Sequence, residues 1–137
     1  MSIEAVPAPN QRSALPLRAL VIESNVEVAR ALELGLSLLG LDVRVAWNAL
    51  VGQALARTFH PQIVLCDLDL SDVDGDEIAS SFRRDRELCN AHLIAFSSGP
   101  RAAEARRAID AGFACHIAKP VGLDALIDAI AAAGQRR

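Results

Sequence analysis

Tyrosine is absent from this 137-residue chain, tryptophan occurs once, and aromatic residues make up only 4%. A core of stacked rings is excluded, so Ala, Leu, Val and Ile must supply an aliphatic one. Cys66, Cys89 and Cys115 form an odd set without metal-ligand spacing. Cys66 and Cys115 fall in apolar runs, where a reduced thiol behaves as a small hydrophobe. Reduced cysteines and the lack of a secretory signal point to the cytoplasm. No apolar run approaches the roughly 20 residues of a membrane helix, so membrane insertion is not expected. Basic charge is not in surplus either: the net charge of -3 leaves no footprint for direct nucleic-acid contact. Arg83, Arg84, Arg86, Arg101, Arg106 and Arg107 are read as solvated faces of helices.

What is present is the make-up of one ordered domain, 52% hydrophobic and 23% charged. Residues 1–16 hold three prolines and little periodicity, and read as a flexible leader or linker before a domain over 17–134. From Leu17 onward, strand and helix patterns alternate five times. Strands are expected over Leu17–Ile22, Asp42–Ala46, Ile63–Cys66, Leu93–Phe96 and Phe113–Ala118. Asn25 and Asn48 stand where helix caps belong, opening helices that end near Leu39 and His60; Pro61 cannot continue the second. Further helices are expected over Asp76–Arg86, from Gly99-Pro100 to Ala111 with Gly112 as its stop, and over Leu123–Ala133.

Connections this short imply a parallel sheet with helices on both faces. Strands one, three and four are apolar on both sides and belong at its centre, whereas the alternating second strand belongs at an edge. The expected fold is therefore α/β and flavodoxin-like: a doubly wound five-stranded parallel sheet in order 2-1-3-4-5, with five helices.

Four of these apolar runs end on a polar residue: Glu23 after RALVI, Asp67 after IVLC, Ser97 after HLIAF and Lys119 after FACHIA. Ligands of such sheets bind at the carboxyl ends of the strands, with the switch point between strands one and three. Those two strands end on Glu23 and Asp67, about 4.8 Å apart if the strands are neighbours. Carboxylates that close repel unless a cation lies between them, and Mg²⁺ takes one or two carboxylates plus waters and a phosphate. Lys119 adds a positive charge suited to a phosphoryl oxygen, and Ser97 a hydroxyl. The set suits phosphoryl transfer, with a carboxylate as nucleophile.

On these residues, the chain from Leu17 to Ala133 resembles the receiver domain of two-component response regulators. That family carries an acid pair, a phosphoacceptor Asp, a Ser or Thr, and Lys-Pro at four strand ends; here Glu23-Ser24, Asp67, Ser97 and Lys119-Pro120 stand at them. The run AGFACHIAKPVGLDAL is especially similar to receivers at the C-terminal ends of hybrid sensor kinases, with His116 where an aromatic is usual. The resemblance implies a phosphoacceptor in a phosphorelay, not an enzyme, charged at Asp67 by a sensor histidine kinase or phosphotransfer protein. Mg²⁺ would be held by Glu23 and Asp67, with Asp69 in reach. Lys119 would pair with the phosphoryl group, Ser97 and His116 would act as the switch, and the Lys119-Pro120 bond would be cis. Only Gly134 to Arg137 follow the last helix: if the chain is the whole protein, output is expected through contact with another protein, and if it is a fragment, the leader through Pro16 is the expected tether to a kinase.

Ser24 departs from the pattern, since a neutral oxygen replaces a usual second acid; weaker Mg²⁺ binding is expected. Ser71 stands for a common Pro and should alter only loop stiffness. A degenerate receiver, acting by phosphorylation-independent protein contacts, is the alternative. A nucleotide-binding enzyme is disfavoured, because ESNVEVA replaces a Gly-rich loop after the first strand. Asp72, Asp74 and Asp76 lack the closing Glu of a calcium loop and are read as turn formers and caps of the following helix. His60 and His92 show no partner pattern, and Trp47 is read as a packing residue.

Overall fold

Five short strands without one exposed large side chain at the sheet centre require cover on both faces, and the chain supplies it with five helices. The computed structural model describes residues 16–70, 72–98 and 101–135. The expected leader (apart from Pro16), Ser71 and Gly99-Pro100 lie outside them. In chain order the elements are β1 (Arg18–Ile22), α1 (Val26–Leu38), β2 (Asp42–Ala46), α2 (Ala49–Phe59), β3 (Ile63–Asp67), α3 (Gly75–Arg84), β4 (His92–Ser97), α4 (Arg101–Ala111), β5 (Cys115–Ala118) and α5 (Leu123–Gln135). All pairings are parallel and the strand order is β2-β1-β3-β4-β5, as the pattern of apolar runs predicts.

The pleat divides the core in two. Leu20, Ile22, Val64, Cys66, Leu93 and Ala95 pack with residues of α2, α3 and α4, including Ala56, Ile78, Phe82 and Ala108. Ala19, Val21, Ile63, Leu65, Ile94 and Phe96 pack on the other side with Leu32 and Leu36 of α1 and Leu126 and Ala129 of α5. Only two of these residues are aromatic, in keeping with an aliphatic core. Both expected caps are made: the Asn25 side chain accepts from the Val28 N–H and that of Asn48 from the Val51 N–H. His60 ends α2 in the left-handed region, at φ 53°.

Several boundaries differ from expectation. Helix α3 begins at Gly75 and stops at Arg84, two residues early, because Asp85 turns extended and its side chain accepts the Glu87 N–H. Strand β5 begins at Cys115 rather than Phe113, since the Phe113 N–H closes α4 on the Ala108 carbonyl. Strand β4 gains His92 and Ser97 at its ends, and α5 runs on to Gln135. Trp47 is not packed away; it remains 46% exposed at the edge strand.

Arg83 is the largest correction. Far from being solvated, its guanidinium donates to the carbonyls of Cys89, Ala91 and Gly112 at 2.7, 2.9 and 2.8 Å. One rigid fork thereby fastens the α3–β4 and α4–β5 connections to α3. Arg83→Ala is expected to destabilise the protein by about 2–3 kcal/mol, since charge-assisted bonds to half-buried carbonyls are lost. Arg83→Lys should recover less than half of that, and urea denaturation midpoints check both.

Candidate functional site

Alternation along the strands decides which polar residues meet. Glu23 follows Ala19 and Val21 in step, Asp67 follows Ile63 and Leu65, and Lys119 follows Cys115 and Ile117, all on the α1/α5 side. Their heads converge at the carboxyl edge of the sheet. Lys119 Nζ lies 3.0 Å from Asp67 Oδ1, 3.3 Å from Asp69 Oδ2 and 3.8 Å from Glu23 Oε1. Its ammonium also lies 5.6 Å from the centre of the buried Phe96 ring. The Lys119-Pro120 peptide bond is cis, as expected from the resemblance.

Glu23 is only 1% exposed. Its Oε2 accepts the Asn25 N–H at 2.8 Å, while Oε1 is buried without a hydrogen bond. Burial raises its pKa, helped by the Asp67 charge, and outweighs the Asn25 bond and Lys119. Asp67 is 3% exposed, and its Oδ1 is doubly held, by Lys119 and by the Asp69 N–H at 2.9 Å. Burial alone would depress the Lys119 pKa, but its bond to Asp67, the Asp67 and Glu23 charges and its bond to Asp69 raise it. Burial likewise opposes ionisation of Asp69, and bonds from the Ser98 N–H and hydroxyl and from Lys119 overcome it and lower that pKa.

The structure thus gathers Glu23, Asp67, Asp69 and Lys119 and sets Ser97 and His116 apart. Ser97 shares the parity of Leu93 and Ala95, and Ala95 pairs with His116 across the β4–β5 ladder. The fully buried Ser97 hydroxyl lies 2.8 Å from His116 Nε2. Ser24 is exposed, leaving Glu23 as the sole strand-one acid turned inward. Among the described residues, no three His, Cys, Asp or Glu side chains are grouped as a metal centre. The donor set nevertheless fits a hard cation: two buried carboxylates, one with an orphaned oxygen, beside an open rim. Asp69 is turned to Lys119 and Ser98 rather than to Glu23.

One neighbouring contact was not anticipated. Asp72 does not cap α3; its carboxylate accepts the Ala49 and Leu50 N–H groups of α2 at 3.2 and 3.1 Å. Asp74 is the residue capping α3 by position, without a side-chain bond. A cavity of about 420 Å³ opens at the far, N-terminal edge of the sheet, among Arg18, His60, Gln62 and His92. Charge, not volume, distinguishes the functional end. Burial together with the Asp67, Asp72 and Glu23 charges raises the Cys66 pKa, and burial that of Cys115, so neither is an activated thiol. No described helix is long and apolar enough to cross a membrane.

A family model of the response regulator receiver domain matches residues 19–131. The chain is 24% identical over 110 residues to the DNA-binding dual master transcriptional regulator RpaA of Synechocystis sp., covering 80% of this chain and 46% of that protein. It is 28% identical over 117 residues to the transcriptional regulatory protein KdpE of Mycobacterium tuberculosis, covering 85% and 50%. The chain therefore spans about half the length of these curated relatives. The chemotaxis response regulator CheY4 of Vibrio cholerae has the same fold, with a TM-score of 0.79 at 13% identity over 86% of this chain and 98% of that one.

Because the folded protein holds the Glu23 proton to higher pH than the unfolded chain does, ionising Glu23 destabilises the fold progressively as pH rises from about 4.5. Glu23→Gln keeps an acceptor for Asn25 and offers Asp67 an amide donor. It should raise the metal-free melting temperature at pH 7 by about 3 °C, the shift that about 1 kcal/mol gives in a domain of this size. The gain should shrink towards pH 4.5. Scanning calorimetry at both pH values tests it, and a less stable variant at pH 7 refutes it.

Proposed function

This chain belongs to the response regulator receiver domain family, and on that premise we propose that it accepts a phosphoryl group on Asp67 from a histidine kinase or phosphotransfer protein. Receiver domains are the phosphoacceptors of two-component signalling; the assignment to Asp67 rests on its buried carboxylate being held by Lys119 at 3.0 Å. Asp67 Oδ1 is fixed by Lys119 and the Asp69 N–H, which leaves Oδ2 as the oxygen clear of both. Oδ2 attacks phosphorus, the phosphorus–nitrogen bond of the donor phosphohistidine breaks, and its electron pair leaves on the imidazole nitrogen. Lys119 follows the charge onto the phosphoryl oxygens, in a reaction governed by positioning and charge neutralisation.

Receiver domains generally bind Mg²⁺ at this site. Glu23 and Asp67 are its ligands in our reading, and Asp69 joins only by leaving Ser98 and Lys119. Bound there, Mg²⁺ would supply positive charge to offset the paired carboxylates and the negative charge of a phosphoryl group. The orphaned Oε1 of Glu23 supports this reading. On the other side of the sheet edge, Ser97 leaves His116 for the phosphoryl group, and the freed ring alters the surface of β5 and α4. Such a switch requires contacts made only in the phosphorylated state.

A second reading, an interaction module that takes no phosphate, is favoured by Ser24. One test separates the two. A small phosphodonor with Mg²⁺ should add one phosphate to the wild type and none to Asp67→Asn, as read by intact mass; equal labelling of both would remove Asp67 from the role. Ser24→Asp restores a second carboxylate and should tighten Mg²⁺ binding about tenfold, since affinity in such sites follows ligand charge. Titration calorimetry reads the change, and unchanged affinity would show that the shell is already complete.

A further inference from the structure

The seven residues between β3 and α3 must cross the carboxyl edge of the sheet and still present the Asp69 N–H to Asp67. Their first half is tied to the site: Leu68 donates to the Phe96 carbonyl, Asp69 donates to Asp67, and Asp69 Oδ2 accepts from Ser98. Their exit is tight, because a Cβ on Gly75 would lie 2.5 Å from Leu68 Cδ2. In between, Asp72 reaches across to the first turn of α2, a helix 22 and 23 residues distant in sequence at Leu50 and Ala49.

Helix α2 gains from that contact a partner for the N–H of its fully buried Ala49, but it does not rest on it alone. Asn48 already caps it at Val51, and the Leu50 end of the contact is at the exposed surface, where water can satisfy an N–H. The loop gains as well. A carboxylate at a helix N-terminus is favoured by the helix dipole, and a bond to each of two consecutive N–H groups fixes its direction as well as its place. Resting on the phosphoacceptor reading of Asp67, we propose that Asp72 is a positioning residue: by holding the β3–α3 loop on α2, it keeps the Asp69 N–H aimed at Asp67 and the attacking carboxylate in one orientation. Asp72 touches neither donor nor phosphoryl group. It acts through Asp69, and alignment of a reacting group is worth one to two orders of magnitude in rate.

Three variants test this in the full chain. Asp72→Ala removes both bonds to α2 and frees the loop; Asp72→Asn keeps one acceptor oxygen; Asn48→Ala weakens the same helix turn and leaves the loop tethered. Amide exchange at Asp69, followed by NMR without donor or metal, should quicken about tenfold in Asp72→Ala, less in Asp72→Asn, and stay within about twofold in Asn48→Ala. Labelling of Asp67 at saturating phosphodonor and Mg²⁺ should fall in the same order. Unchanged Asp69 exchange in Asp72→Ala, or an equal rise in Asn48→Ala, would reduce Asp72 to a helix cap and overturn the proposal. Label on the wild type at an unaltered rate in Asp72→Ala would overturn it alone. A wild type that takes no label would instead remove the phosphoacceptor reading, and with it the role assigned to Asp72. Should Asp72→Ala not fold, Asp72→Asn against Asn48→Ala carries the same contrast.

Discussion

One ammonium stands among three carboxylates at the carboxyl edge of the sheet, and the site cannot be assembled without it. Glu23 and Asp67 end neighbouring strands and are almost wholly buried, an arrangement that repulsion and desolvation would both oppose. Lys119 resolves part of this by drawing Asp67, Asp69 and Glu23 to within 3.0, 3.3 and 3.8 Å of one nitrogen. The compensation is incomplete, since three negative groups face one positive group and Glu23 Oε1 stays without a hydrogen bond. A site left short of positive charge is one that favours a cation or a proton. The proposed metal binding and phosphoryl transfer both draw on that same shortage of positive charge.

Much of this was legible in the sequence because it depends on period and on strand ends. Apolar runs of four to six residues marked four of the strands, alternation marked β2, and the polar residue ending each of the four runs marked the rim. Asn25 and Asn48 were readable as caps because the cap chemistry is local. The unread contacts are those set by tertiary distance. Asp72 bonds a helix that precedes it by more than twenty residues, and nothing in DVDG distinguishes that from capping the helix ahead. Ser97 belongs with the other three by strand position, yet the pleat turns its hydroxyl to His116. Arg83 carried a usable signal: it stands four residues after buried Ala79, on the edge of the apolar stripe of α3.

Membership of the receiver family leaves room for variation at the metal side, and here that variation is concentrated in one residue. Ser24 faces solvent, and the backbone after Glu23 bends so that the Asn25 N–H fills a position at Glu23 Oε2. The protein therefore brings one inward acid from strand one, not two. Asp69 does not replace the missing charge in the resting arrangement, being engaged with Ser98 and Lys119. Its bonds to Ser98 join the loops after β3 and β4 across the mouth of the site, so any ligand that recruits Asp69 must also release that closure.

Trp47 follows β2 directly, and the last β1–β2 register pair is Ile22 with Ala46. The indole is consequently attached one residue past the strand end beside Glu23, and two residues before the helix turn that Asp72 grips. With no tyrosine and no second tryptophan in the chain, its indole emission comes from this single position. Half in water, the ring has an emission wavelength governed by the polarity immediately around it. The protein carries a built-in optical reporter at the carboxyl edge of its sheet, readable without label or tag.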